Sequence, residues 1–241
     1  AMLIVALAAP FLGVFGDIRG MRKKLFSFFM LLGVAACAGM AFTPGMDFTS
    51  GPVAAGKVAS LILVLYIVSV IGFDASAIYY DAFLTDVTTE NRMDKVSTMG
   101  YGLGYIGGST IPLLIFLIMN LVGVPMLTCL AFVFGLTAVW WLAFSLPLLK
   151  NCEQTSGKPY EKGDVARSIK GVGTTIKEII ANKPMLIYIL SYFFYIDGVH
   201  TVISMATTYG TNLGLDSTGM MLALLLVQIL GLPFCLLYIK C

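Results

Sequence analysis

Apolar residues run through this 241-residue sequence in seven stretches separated by shorter polar segments. The stretches cover residues 2–15, 25–42, 58–80, 99–121, 124–149, 184–206 and 218–239. A helix that crosses a bilayer needs about 20 mainly apolar residues, and every stretch except the first comes close to that length. The pattern therefore predicts an all-α polytopic bundle of transmembrane helices, of which the first is short.

Composition and charge support this prediction and add an orientation. Apolar residues make up 59% of the chain and charged residues only 12%, whereas soluble domains carry about 25% charge. Fourteen of the fifteen lysines and arginines follow the first, third, fifth and seventh stretches, and Lys57 alone falls in the opposite set of loops. The positive-inside rule then predicts that the basic loops are cytoplasmic.

The two ends of the sequence indicate a fragment. An apolar stretch begins at Ala1 without the basic segment that opens a signal peptide, and by the orientation above it starts on the outer side. We therefore expect at least one helix before this chain and several after it. The five cysteines show no CxxC spacing, so we expect packing roles for them and no metal site or cofactor.

A long basic connector divides the apolar stretches. We expect residues 1–149 to form one transmembrane half, 150–183 a cytoplasmic linker, and 184–241 the start of a second half. In the linker, apolar residues recur at three- and four-residue steps with bases between them; they are Val165, Ile169, Val172, Ile176 and Ile179. This pattern predicts an amphipathic helix on the membrane surface. Alternatively, the segment is a basic loop that only obeys the orientation rule.

Glycines mark the fourth stretch. Gly100, Gly104 and Gly108 recur at steps of four, which predicts a helix face that another helix approaches closely. Pro112 removes one backbone donor and predicts a kink in the same span. Three glycines here also match the dinucleotide-binding pattern by letter. No strand precedes them, so we expect neither nucleotide nor nucleic acid to bind.

Charged residues inside apolar stretches are the first candidates for function, because an Asp at a helix centre costs about 2.5–3.5 kcal/mol. Asp197 and His200 lie three residues apart on one helix face, which Thr201 and Ser204 extend as a polar stripe. A histidine beside a carboxylate suits proton transfer near neutral pH. A structural Asp–His pair between helices is the alternative.

The third stretch supplies the other substrate or coupling candidates, Asp74 and Tyr80. Asp74 is suited to binding an amine or exchanging a proton, and the tyrosine hydroxyl suits a partly wet surface. Asp81 follows at the predicted membrane boundary, where we expect a gate or a solvated helix end.

The loop at residues 13–24 carries the most distinctive pattern. Gly13 is followed by Asp17, then by Gly20, and then by the bases Arg22 and Lys23. This spacing resembles the loop between helices two and three of major facilitator transporters, although Ile18 and Met21 stand where bases are usual. The resemblance implies the major facilitator fold, incomplete at both ends, and a conformational latch formed by these five residues.

Four longer strings resemble one branch of that superfamily. They are GFDAS at 72–76, YDAFL at 80–84, GYGLGYIGG at 100–108 and YFFYIDGVHTV at 192–202. The branch contains the autophagy-related vacuolar amino-acid effluxers and their prokaryotic relatives, so this chain would show helices two to eight. Members often carry Asn at the position of Asp81 and Gln at that of His200.

The resemblance implies a secondary transporter of small solutes that works by alternating access. It implies an amino acid or similar solute as substrate, membrane lipid as surroundings and a proton as candidate coupling ion. The location would be the cell membrane in a prokaryote or the vacuolar membrane in a fungus. The sequence does not give the oligomeric state.

Two other protein classes are alternatives. A non-transporting receptor on the same fold is one. An intramembrane aspartyl protease is the other, because Tyr80-Asp81 and the glycines at 102 and 104 resemble its motifs. That chemistry needs a second aspartate, and the residue after Gly104 is Tyr105. We therefore expect no enzyme activity.

Overall fold

The computed structural model describes residues 2–46, 51–157, 159 and 164–239, and most of them are helical. The helices are α1 (Met2–Gly16), α2 (Met21–Phe42), α3 (Pro52–Ala82), α4 (Leu84–Val87), α5 (Met93–Gly104), α6 (Ile111–Leu121), α7 (Met126–Asn151), α8 (Asp164–Ala181), α9 (Lys183–Asn212) and α10 (Ser217–Tyr238). The predicted all-α fold is confirmed.

Six helical stretches in the described residues are long and apolar enough to cross a membrane, and α1 is a shorter apolar helix. The six are Met21–Gly45, Pro52–Val87, Glu90–Leu121, Met126–Asn151, Lys183–Asn212 and Ser217–Tyr238. These match the predicted stretches, and the chain is an integral membrane protein. The spans Pro52–Val87 and Lys183–Asn212 are longer than the apolar stretches 58–80 and 184–206 predict.

Capping and turn residues explain where these two helices begin. Gly51 has a φ of 123° and precedes Pro52, so α3 begins six residues before the apolar run does. The side chain of Asn182 accepts a hydrogen bond from the Met185 amide at 3.3 Å, and Pro184 occupies the first turn of α9. Both are common helix starts, because these residues satisfy or remove free amide donors.

The described helices fall into two compact units. One comprises Ala1–Glu161 with Gln228–Cys241, and the other comprises Lys162–Val227. In the first unit α2 packs against α3 and α7 around two groups of buried side chains. The groups are centred on Phe26, Met30 and Tyr79, and on Cys37, Met40 and Ala138.

Two glycines bring α2 and α3 into backbone contact. A Cβ added at Gly72 would lie 2.6 Å from the Cα and nitrogen of Gly33 and 2.7 Å from the Phe29 carbonyl oxygen. A Cβ on Gly33 would overlap the ring of Trp141. No room for a methyl group remains at either position, so this contact depends on both glycines.

The fourth transmembrane stretch changes its helical register at its centre. Residues Tyr105–Thr110 form a π-helical turn between α5 and α6, and the Thr110 hydroxyl donates to the Tyr105 carbonyl at 2.7 Å. Pro112 follows two residues after Thr110 and has no amide proton to donate. Within the turn, the Gly107 carbonyl accepts a hydrogen bond from the Trp140 indole at 2.7 Å. This turn comes just before Pro112, and the kink predicted at that proline stays a prediction.

The glycines of α5 do not pack as their spacing predicts. A Cβ added at Gly100, Gly104 or Gly108 would meet no atom within 4 Å. The close contact lies at Gly102, where an added Cβ would be 3.1 Å from Leu232 and Cys235 of α10. Gly102 is about 200° around the helix from Gly100, so α10 approaches the face opposite to the regular series.

The second unit contains α8, α9 and the first half of α10. Helix α8 covers most of the predicted amphipathic segment, and the side chains before residue 171 lie outside the described ones. Val172 and Ile179 are half-buried, whereas Ile176 is 48% exposed. Asp164–Ala181 is thus helical, while the amphipathic helix on the membrane surface and the three-part domain division stay predictions.

Candidate functional site

The distinctive first loop closes around Arg22 at the start of α2. Gly20 has a φ of 80°, in the left-handed region that favours glycine, and this conformation lets the chain turn sharply between α1 and α2. Arg22 follows in the first turn of α2, where α2 packs against the end of α3. Its side chain is 5% exposed, which is rare for an arginine unless a partner neutralises it.

The partner of Arg22 is Asp86 in the short helix α4. The Arg22 Nη1 donates to Asp86 Oδ2 at 2.5 Å and to the Ala82 carbonyl at 3.0 Å, and the Asp86 side chain is fully buried. The Arg22 guanidinium also lies 5.7 Å from the centre of the Phe83 ring, a favourable position for a cation over an aromatic face. One arginine thus ties the start of α2 to the end of α3 and to α4.

The segment after α7 completes this arrangement. The other carboxylate oxygen of Asp86, Oδ1, accepts bonds from the amide and hydroxyl of Thr155 at 3.1 and 2.9 Å. It also accepts bonds from the amide and hydroxyl of Ser156 at 2.9 and 2.7 Å. Four donors on one oxygen stabilise its negative charge in a place that water does not reach.

Gln154 binds the same loop from the other side. Its Oε1 accepts from the Gly20 amide at 2.9 Å and from the Arg22 amide at 3.3 Å, and its Nε2 donates to the Gly16 carbonyl at 3.0 Å. The amide side chain therefore bridges the end of α1 and the start of α2. We call Gly20, Arg22, Asp86, Gln154, Thr155 and Ser156 the Arg22 cluster.

The energetics of the Arg22 cluster are those of a buried ion pair. Such a pair adds little net stability compared with apolar residues, but removing one partner costs about 3–5 kcal/mol because the other charge stays buried. Among the described residues, the Arg22 Nε is the only buried side-chain nitrogen or oxygen without a hydrogen-bond partner. The arrangement is sensitive to displacement of any member, which is the property that a conformational latch requires.

The structure separates the five latch residues predicted from the sequence. Gly20 and Arg22 belong to the Arg22 cluster, and the Gly13 carbonyl accepts the Asp17 amide at 3.1 Å at the end of α1. Asp17 is exposed, and within the described part of the chain neither its carboxylate nor the Lys23 ammonium forms a hydrogen bond or ion pair. The contacts thus concentrate on Arg22.

The substrate and coupling candidates are divided between the two units. Asp74 lies half-buried on α3 and already has an interaction partner, and Tyr80 lies one turn and a half further along the same helix. Asp197, His200, Thr201 and Ser204 are exposed along α9. Within the described residues, the Asp197 and His200 side chains form no hydrogen bond or ion pair with each other or with other groups.

Tyr80 also lines a cavity of about 960 Å³ in the first unit. The walls come from the end of α3, the start of α5, the end of α7 and Gln228 of α10. Asp81 contributes the carboxylate, and Tyr101 and Tyr105 contribute two further aromatic rings. The volume is at the upper end of the range for sites that bind small organic molecules.

Sequence reasoning missed four members of the Arg22 cluster, namely Asp86, Gln154, Thr155 and Ser156. All four lie in segments that the charge pattern assigns to the cytoplasmic side, and Asp86 directly follows an apolar stretch. The charge pattern assigns Arg22 to the same side, so it limits the possible partners of Arg22 to groups in these segments. No spacing rule connects residues 22, 86 and 154, so the pairing required the fold.

Comparison with known proteins identifies the family. The profile of the family described as "Vacuole effluxer Atg22 like" matches residues 1–237. The chain belongs to this family. The resemblance inferred from the four sequence strings is thereby confirmed, and the fold is a helical bundle of the major facilitator type.

Individual relatives agree with this assignment. The chain is 40% identical over 243 residues to an uncharacterized MFS-type transporter of Bacillus subtilis, covering 98% of this chain and 54% of that protein. It is 26% identical over 148 residues to autophagy-related protein 22-1 of Penicillium rubens, covering 57% of this chain and 25% of the fungal protein. The chain thus spans about half the length of the bacterial relative. No solved structure matches it significantly.

Proposed function

We propose that the protein is a secondary active transporter of small solutes, and that amino acids are its substrates. Membership of the Atg22-like family and the similarity to a bacterial MFS-type transporter support transport as the activity. Amino acids are favoured by the resemblance to the vacuolar effluxers. Alternating access moves the substrate, and a proton is the proposed coupling ion.

The buried Arg22–Asp86 pair is the observation that carries this proposal furthest. Major facilitator transporters must exchange between conformations, and a latch needs contacts that are strong in one state and absent in another. The Arg22 cluster joins α2, α4 and the segment after α7 through one charge pair and several hydrogen bonds. Its contacts stabilise one state and break when α4 or the segment after α7 moves.

The proposed substrate and coupling residues are Asp74 and Tyr80 on α3 and Asp197, His200, Thr201 and Ser204 on α9. Asp197 and His200 have no competing partner among the described residues, which leaves both side chains available for a proton or substrate. Asp74 is half-buried and already engaged, so a proton exchange there accompanies a change of partner.

Flux in sealed vesicles tests the activity. The full-length protein is purified and reconstituted into proteoliposomes, and uptake of radiolabelled amino acids is measured with and without an imposed pH gradient. We expect accumulation of at least one amino acid above that in empty liposomes, and faster flux with the gradient. Binding without any flux of the bound solute would instead support the receptor alternative.

The latch is tested at Gly20. A Cβ there would meet no atom within 4 Å, so only the φ of 80° restricts the residue. Asn tolerates this conformation and a β-branched residue does not. We expect Gly20→Asn to keep near-normal flux and Gly20→Val to slow it, with both proteins present in the membrane. Equal flux in the two variants would show that this loop is only a connector.

Asp17 provides a second test of the latch. Its carboxylate contacts no partner in the described residues, so the resemblance alone assigns it a role in the latch. We expect Asp17→Asn to slow flux without lowering the amount of protein in the membrane. Unchanged flux would confine the latch to the Arg22 cluster.

A further inference from the structure

The cavity beside the end of α3 has an unusual balance of charge. Among the described residues, sixteen line it, and Asp81 is the only one of these with a charged side chain. The remaining polar groups are neutral, including the amides of Asn151 and Gln228. A ligand with a positive charge would therefore find one carboxylate and no opposing base in this cavity.

Aromatic rings strengthen the preference for a cation. Tyr80, Tyr101 and Tyr105 line the cavity and are 54%, 66% and 40% exposed. The face of a tyrosine ring carries partial negative charge and attracts ammonium groups. Apolar residues such as Val87, Leu84 and Pro147 supply the rest of the wall and suit an apolar ligand body.

The glycines of α5 leave the space that such a ligand needs. Gly100 and Gly104 both line the cavity, and a Cβ added at either would meet no atom within 4 Å. Gly102, on the other side of the same helix, holds α5 against α10. Gly100 and Gly104 therefore widen the cavity, and no described residue packs against them.

We infer that this cavity binds a monovalent organic cation with an apolar body, with the ammonium group at Asp81 and the body against the tyrosine rings. A zwitterionic amino acid fits less well, because none of the described lining residues is basic and the carboxylate would lose water without gaining a partner among them. The inference concerns binding at equilibrium and does not depend on whether the protein transports amino acids.

Calorimetry with matched probes tests this inference. The purified full-length protein in detergent is titrated with 4-phenylbutylamine, with 4-phenylbutanol as the uncharged control and phenylalanine as the zwitterionic one. We expect the amine to bind at least tenfold more tightly than either control. Equal binding of the alcohol would show that the charge of Asp81 has no role, and equal binding of phenylalanine would overturn the assigned ligand class.

Substitutions in the cavity wall locate the site. We expect Asp81→Asn to weaken amine binding at least tenfold, while Asp94→Asn, an exposed acid on α5 outside the cavity, leaves it unchanged. Gly104→Leu should also abolish binding, because the side chain would fill the cavity without changing its charge. Unaltered binding in both cavity variants would contradict the inference.

A cysteine in the wall gives a readout that does not depend on either variant. Cys152 lines the cavity and is partly exposed, whereas Cys37 and Cys129 are buried. In a protein that retains Cys152 as its single cysteine, 4-phenylbutylamine should slow maleimide labelling and 4-phenylbutanol should not. Labelling at the same rate with and without the amine would exclude this cavity as its site. If the amine protects Cys152 from labelling but the protein shows no amino-acid flux, the transport proposal is wrong and the inference about this cavity stands.

Discussion

Two regions of the protein carry residues that are unusual in an apolar protein. One is the corner where α2 meets α3, and the other is helix α9, and the surroundings of these residues differ between the two. At the corner, Gly72 touches the backbone of α2, and Arg22 and Asp86 neutralise each other in a buried pair. On α9, a Cβ added at Gly198 would meet no atom within 4 Å, and Asp197 is exposed. The same residue types are therefore fixed by packing in one region and free of packing in the other.

This difference separates stability from function. Where a glycine or an acid has close neighbours, its replacement disturbs the folded state before any effect on activity can be measured. Where it has none, the folded state tolerates the change, and an effect on flux reports on mechanism. The two regions thus provide matched pairs of substitutions, glycine against glycine and aspartate against aspartate.

The glycine pair gives a large expected difference. In Gly72→Ala the new methyl group would lie 2.6 Å from backbone atoms of Gly33, so α2 and α3 must move apart. Overpacking costs about 1–3 kcal/mol and more where backbone blocks the space, so we expect a clear fall in melting temperature. Gly198→Ala should be neutral or slightly stabilising, because alanine favours helix by about 1 kcal/mol. Thermal unfolding of the purified variants measures both, and equal melting temperatures would contradict the comparison.

The aspartate pair should also differ in the same direction. Asp86→Asn leaves Arg22 buried without a counter-charge, at a cost of about 3–5 kcal/mol that the retained amide oxygen partly offsets. Asp197→Asn should change the free energy of unfolding by about 0.5 kcal/mol or less, as at other exposed positions. Asp94→Asn is the matched control in the first unit. If Asp86→Asn is as stable as Asp94→Asn, the Arg22–Asp86 pair does not hold the corner together.

The sequence predicted the helices well because apolar length alone determines a membrane span. It also singled out the loop at residues 13–24, which contains Gly20 and Arg22, as a candidate functional segment. It did not predict the partners of Arg22, since Asp86 and Gln154 are separated from it by 64 and 132 residues. The sequence also did not predict which glycines lie against a neighbouring helix. The regular series at Gly100 and Gly104 faces open space, while isolated Gly72 makes the tightest approach to the backbone of another helix.

The functional effect of Asp197 sharpens the contrast further. If this residue carries the coupling proton, Asp197→Asn should abolish accumulation driven by a pH gradient while substrate exchange partly survives. Thermal stability should remain near that of the unaltered protein, because no described group pairs with the carboxylate. Counterflow and gradient-driven uptake in the same proteoliposomes measure the two activities. A loss of folded protein together with flux would favour the structural alternative.

The smallest expected effect belongs to His200→Gln. The resemblance drawn from the sequence gives Gln as a common residue at this position, and Gln keeps hydrogen-bonding capacity but lacks the imidazole that can accept a proton. His200 is exposed and lies one helical turn from Asp197 on the same helix. We therefore expect His200→Gln to flatten the dependence of flux on pH between about pH 5 and 8, with an unchanged melting temperature. Flux is measured across that range with the unaltered protein and Asp197→Asn as references. A pH profile that matches the unaltered protein would assign the coupling step to Asp197 without His200, and a lowered melting temperature would assign His200 a packing role that the described contacts do not show.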